Sequence, residues 1–224
     1  MTVSLHVWRV PWGRVPTALW RMAVEPRRVR RAPGVRFAKL LGTARGFGPA
    51  RADPTRWAAL TVAEPTPAFP RWDRIAVAGC RLDLRPLSSR GTWAGRAPFD
   101  PGPAPAAATG PVLALTRARL RPAKVPVFWR AIGAVADALA GAPGLLAAFG
   151  IGEAPLGWQG TVSVWRSAPD LVGFAYRHPQ HRLAIARTAA VDWYAEELFA
   201  RFAVVDVRGD TEVIGWVEGR RLPE

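Results

Sequence analysis

TVSVWRSAPDLVGFAYRHPQHRLAIARTAAVDWYAEELFARFAVV, residues 161 to 205, decides the fold. Gly160 to Trp165 reads as a strand, and Ser167 then caps a helix, with Asp170 three residues later completing an N-terminal signature of the capping-box kind. Pro179 has no N–H and prefers the first helical position, so a second helix carrying Leu183 and Ile185 is expected to start there. That start places His178 near the cap and His181 in the first turn. Phe199 to Val207 closes the stretch as a strand.

Read outward, the stretch is the end of a longer unit. Val112 to Leu120 is a strand, Val127 to Leu139 an amphipathic helix, and Leu145 to Ile151 a strand set off from Gly160 to Trp165 by the turn-like Gly152 to Gly157. The first half has the same order. Thr2 to Val10 alternates like a strand, Thr17 to Arg31 has helical spacing with Leu19, Trp20 and Ala23 on one face, and Val35 to Thr43 and Arg56 to Glu64 read as strands. A short helical piece around Phe69 to Ala78 and a strand from Cys80 to Leu87 complete it. Each half is β-α-β-β-α-β, the ferredoxin-like plan. The division expected is residues 1–95, a Pro/Ala/Gly-rich linker over 96–110, a second half over 111–208, and a tail over 209–224. The fold class is therefore α+β: tandem ferredoxin-like repeats whose open sheet faces pack together as an intramolecular pseudo-dimeric α/β barrel. Between the sheets lies either an apolar cavity of the kind small ligands occupy or a tight, ligandless core.

Composition narrows the function classes. Half of the 224 residues are hydrophobic, enough for a sizeable core. A single cysteine, Cys80, excludes an intramolecular disulfide and a four-thiolate cluster, and fits a reducing compartment. Arg9, Arg14 and Arg21 interrupt every apolar run near the start, and no uncharged apolar stretch is long enough to span a bilayer. A cytoplasmic protein is expected, with peripheral membrane contact left open. The net charge of +14 comes almost wholly from arginine, with lysine only at Lys39 and Lys124. Spread along the chain beside abundant Ala, Gly and Pro, those arginines reflect coding bias more than a phosphate-binding face, so no nucleic-acid partner is expected. The cluster Arg27, Arg28, Arg30 and Arg31 after Pro26 suits anionic lipid headgroups, worth about 1 kcal/mol per residue near a surface, or else a solvated helix end.

Known catalytic signatures are missing. Gly150-Ile-Gly152 is followed by Glu-Ala-Pro and makes no dinucleotide turn, and there is no phosphate loop, no H-E-x-x-H and no nucleophile elbow. No catalytic residue can be named. What remains is His178-Pro-Gln-His181. The positive end of a helix favours a neutral imidazole, the form that binds metal, and one such imidazole facing an apolar pocket is what a haem iron needs on its proximal side. The alternative is that both histidines are half-exposed residues at a helix start. Of the eleven tryptophans, Trp20, Trp57, Trp129 and Trp165 fall at core-facing positions of the elements above.

Several separate motifs, in the same order, resemble the spheroidene monooxygenase family of carotenoid-modifying enzymes. They are Arg90-Gly-Thr-Trp-Ala-Gly-Arg-Ala-Pro-Phe99, Gly110-Pro-Val-Leu-Ala-Leu-Thr-Arg-Ala118 onward to Arg121-Pro122, Phe128-Trp129, Gly150-Ile-Gly-Glu153 and Trp193-Tyr-Ala-Glu-Glu-Leu-Phe-Ala-Arg-Phe202. The first half is similar more loosely, in Val3-Ser-Leu, Pro33-Gly34 and Phe37-Ala-Lys-Leu40. The resemblance implies a monooxygenase that uses O2 and an external electron donor such as ferredoxin to put a keto oxygen on a carotenoid or a similar apolar polyene. It also implies haem, with His181 as candidate axial ligand; it carries over no distal residue, and Arg182 and Trp165 are guesses at a pocket wall or else purely structural. The rival expectation is a non-catalytic α/β barrel that binds an apolar ligand.

Overall fold

A computed structural model of the chain describes residues 2–46, 51–102, 108–153, 158–177 and 191–216. Its strands are β1 (Thr2–Arg9), β2 (Val35–Ala44), β3 (Ala52–Ala63), β4 (Ala78–Gly91), β5 (Val112–Leu120), β6 (Leu145–Gly152), β7 (Trp158–Trp165) and β8 (Tyr194–Gly209). The helices are α1 (Val15–Val24), α2 (Pro26–Arg30), α3 (Pro70–Asp73), α4 (Val125–Ala140) and α5 (Ala168–Arg177). All strand pairs are antiparallel, and the strands close in the order β1-β3-β2-β6-β7-β5-β8-β4. Cut between the halves, the ring reads β4-β1-β3-β2 and β8-β5-β7-β6, the same ferredoxin-like order twice. The expected tandem repeat and pseudo-dimeric barrel are what the chain forms.

The two joints between the halves are unequal. β4 and β8 run together from Cys80↔Gly209 to Gly91↔Leu198, whereas β2 and β6 share only Gly42↔Gly152, Thr43↔Ile151 and Ala44↔Gly150. β8 is longer than the expected Phe199 to Val207 because it starts directly after Trp193.

Local chemistry explains the helices. α1 and α4 each follow a 3-10 turn and each carry Val-Pro at their first two positions, where the missing proline N–H would have had no intrahelical acceptor. Pro26 divides what the spacing predicts as one helix over Thr17 to Arg31, because its ring cannot continue the hydrogen-bond ladder. The Ser167 cap forms as expected: its hydroxyl accepts from the Asp170 N–H at 3.3 Å and donates to the Asp170 carboxylate at 2.6 Å.

Period-two alternation sends Val3, Leu5 and Val7 into the ring while Ser4 and Trp8 face outward under the helices. The interior is filled. Leu82, Leu113, Leu115, Phe149, Val164, Leu198 and Phe202 come from the walls, Trp93 and Phe99 from the connector after β4, and Val213 and Ile214 from the turn after β8. Of the two interiors the sequence left open, the described side chains form the packed core. Outside, the first half buries Trp8, Ala18, Trp57, Phe69 and Trp72. The second half buries Val112, Leu139, Trp165 and Leu171 in one cluster and Leu120, Phe128 and Trp193 in another. Trp57 and Trp165 are buried as expected, Trp129 has no described side chain, and Trp20 is a correction, since it stands 59% exposed.

Candidate functional site

Five sequence-distant segments converge on a charged cluster at one end of the barrel. Arg117 of β5, 2% exposed at its side chain, donates to Glu153 at 3.2 Å and to Glu196. Lys39 of β2 pairs with the other Glu153 oxygen, and the Trp93 indole N–H donates to Glu153. Glu196 of β8 also accepts from the Gly95 N–H at 2.8 Å and the Thr92 hydroxyl at 3.1 Å. Burial by itself would raise the Glu196 carboxyl, but the Gly95 N–H, Arg117 and Thr92 outweigh it and hold the group down at about 2. Arg117 and Lys39 stand within cation–π range of Trp93, at 5.6 and 5.7 Å from its ring centre. Two cations and two carboxylates cancel, so the cluster is a neutral clamp that fixes the connector and seats Trp93 in the barrel. Its members belong to the motifs 37–40, 90–99, 110–118, 150–153 and 193–202. Sequence reading quoted those motifs without seeing that they meet, because Lys39 and Glu153 lie 114 residues apart.

The second feature lies outside the sheet, over the second half. Phe128 of α4 packs edge-on to Trp193 at 5.5 Å between ring centres, with Leu120, Val125, Val191 and Tyr194 around them. Trp193 is 1% exposed, yet its indole N–H has no acceptor among the described residues. A buried donor without a partner is rare and calls for an explanation such as a bound group. The floor alongside is β5 and β7, and α5 covers it through Leu171 and Phe174 against Trp165. Trp165 donates to the Ser163 hydroxyl at 2.9 Å and is a packed wall of this layer. At the end of α5 the Tyr176 hydroxyl accepts from Arg201 of β8 at 3.0 Å. His178, His181 and Arg182 lie outside the described residues; the described chain on either side ends at Arg177 and resumes at Val191.

The third histidine, His6, was missed by the sequence reading because it sits in an ordinary strand. It stacks on Trp8 at 5.6 Å and meets Phe69 edge-on at 4.9 Å, and its Nδ1 has no partner among the described residues. Burial first, then the Arg81 charge, lower its pKa to about 4 against the opposing pull of Asp83, so the imidazole is neutral. Half-buried against these rings, it is a packing residue of the outer layer. Among the described residues no group of three or more His, Cys, Asp or Glu is placed to hold a metal ion.

This architecture defines the class first. The fold is similar to that of aldoxime dehydratase, with a TM-score of 0.54 at 10% identity over 92% of this chain and 81% of that one. A second aldoxime dehydratase structure, in complex with butyraldoxime, gives 0.55 at 10% identity over 92% and 79%. These likenesses speak for the fold alone. No family model matches the chain. Its sequence, however, is 34% identical over 210 residues to spheroidene monooxygenase of Rhodobacter capsulatus, covering 87% of this chain and 86% of that protein. It is 38% identical over 189 residues to spheroidene monooxygenase of Rubrivivax gelatinosus, covering 79% and 72%. The chain belongs to the spheroidene monooxygenase family and is an oxidoreductase of the monooxygenase kind. The non-catalytic carrier is thereby set aside.

Proposed function

We propose that this monooxygenase puts oxygen into a carotenoid or a similar apolar polyene, with haem on the helical side of the second half and His181 as the residue that would hold its iron. The observation that carries the reading is the orphan indole N–H of Trp193 in the aromatic layer between α4 and the sheet. Leu120, Phe128 and Tyr194 give an apolar surround, and the Trp193 N–H, without an acceptor among the described residues, is a donor that a polar edge of haem would satisfy. The relatives are named for spheroidene, a carotenoid, which supports a polyene as substrate.

When bound, haem supplies the iron chemistry that activates O2, with electrons from an external donor protein such as ferredoxin. The chain's own residues do the rest. His181 offers a neutral nitrogen, the Trp193 N–H orients a polar edge, and the aromatic layer excludes water that would drain a reactive oxidant. The filled barrel and its charged clamp hold β5 and β8 rigid beneath that layer.

The test is to express the chain with haem supplied and record its visible spectrum. A Soret band in the wild type, lost or shifted in His181→Ala, is expected. Trp193→Phe keeps the ring packing but removes the donor, and should release haem to apomyoglobin about fivefold faster. A wild type with no Soret band rejects haem, and an unchanged band in His181→Ala rejects that ligand. Conversion of spheroidene to a keto product by the reduced, haem-loaded protein tests the substrate.

A further inference from the structure

The face of α1 that the sequence assigns to the core is turned to solvent. Only Ala18 of this helix is buried, with Val15 and Met22 half-buried beside it. Opposite them Pro16, Leu19, Trp20, Ala23 and Val24 are exposed, at the i, i+3, i+4, i+7 and i+8 spacing of one continuous stripe. Leu19 is 55%, Trp20 59% and Val24 45% exposed, and Trp12, in the turn leading into the helix, is 70% exposed. No charged side chain interrupts the stripe. An amphipathic helix normally spends its apolar face on the core, so a second apolar face on the far side is left without a partner among the described residues.

Charge says what that partner is. Arg14 and, on α2, Arg27, Arg28, Arg30 and Arg31 are exposed around the stripe. The one carboxylate of the segment, Glu25, is turned inward: it accepts from the Trp72 indole at 2.9 Å and lies 4.0 Å from Arg21 and 3.7 Å from Arg71. Over residues 12–31 the outward surface is therefore apolar with a cationic border. A nucleic acid would meet the arginines but leave Leu19 and Val24 without purpose. A bilayer surface bearing anionic headgroups satisfies both, with Trp and Leu side chains entering the acyl boundary and arginines at headgroup level.

We infer that α1 and α2 form a monotopic docking face that sets the protein on an anionic lipid bilayer. Trp12, Leu19, Trp20 and Val24 are the inserted side chains, and Arg14 with Arg27 to Arg31 is the electrostatic border. Such docking puts the enzyme on the surface of the phase in which an apolar polyene dissolves. The inference is independent of haem, because neither haem nor substrate enters its test.

The test is flotation of the full chain with phosphatidylcholine vesicles, with and without phosphatidylglycerol. Binding is expected to the phosphatidylglycerol vesicles, weaker binding to the neutral ones, and loss as salt rises. Leu19→Ser with Trp20→Ser should weaken binding about tenfold at unchanged circular dichroism, because both side chains are already in solvent. Brominated acyl chains should quench tryptophan fluorescence in the wild type and less in Trp12→Ser with Trp20→Ser. Arg27→Gln with Arg28→Gln, Arg30→Gln and Arg31→Gln should remove most of the preference for phosphatidylglycerol. No binding to either vesicle, or equal binding by the Leu19/Trp20 variant, overturns the inference. So does a wild-type dimer in light scattering that this variant turns monomeric, which would assign the stripe to a second copy.

Discussion

At the scale of single residues, Arg117 and His6 carry opposite kinds of burial. Arg117 is a buried charge satisfied by Glu153 and Glu196, and removing it leaves two carboxylates without their shared cation. Arg117→Ala is expected to lower stability by about 3–5 kcal/mol in urea denaturation, the range for breaking a buried pair from one side. His6 is a half-buried neutral group, lowered to about 4 in the fold against 6.5 when free. The unfolded chain therefore takes up a proton first: stability from this group is complete above pH 6.5 and falls as pH drops from 6.5 toward 4, by on the order of 3 kcal/mol. His6→Phe should flatten that part of the pH–stability curve, and an unchanged slope would show that other groups set it. Neither role was legible in the sequence. His6 differs from its strand neighbours by no spacing, and Arg117 is one arginine among many until the fold brings Glu153 and Glu196 to it.

At the scale of elements, strands were read well and α1 was not, for one physical reason. A strand buries alternate side chains, so Val3, Leu5 and Val7 announce their face, and Leu113 and Leu115 do the same in β5. α1 is apolar on both sides, and periodicity cannot say which stripe the sheet takes; the smaller one, with Ala18, fits against it, while Trp20 is left outside. The connector after β4 hid its burial for another reason. Pro, Gly and Ala dominate residues 96–110, and nothing periodic shows that Trp93 and Phe99 at its margin enter the barrel core. Gly91 makes that entry feasible. Its φ is +89°, and a Cβ there would fall onto the Glu197 carbonyl oxygen. Gly91→Ala should therefore destabilise by about 1 kcal/mol or more and expose Trp93, visible as a red-shifted tryptophan emission. An unshifted spectrum at wild-type stability would mean that the connector reaches the core without this turn.

At the scale of the whole molecule, the duplicated plan was the most legible property, because the same order of elements recurs and a single ferredoxin-like sheet leaves one face needing cover. The candidate site was legible only in part. The sequence left a cavity or a tight core open between the sheets, and among the described residues side chains from both halves, the connector and the turn after β8 fill that space. What remained was the outer layer, where Trp193 and Phe128 meet although α4 and β8 are far apart in sequence. The unequal joints carry a consequence of their own. A closed ring has no free edges to recruit other chains, yet three residue pairs between β2 and β6 guard one of its two fastenings, and two of those pairs involve Gly150 or Gly152 with no side chain to lock them. The molecule is a bracelet with a hinge and a clasp: β4 with β8 is the hinge, and amide hydrogen exchange is expected to be fastest at the clasp.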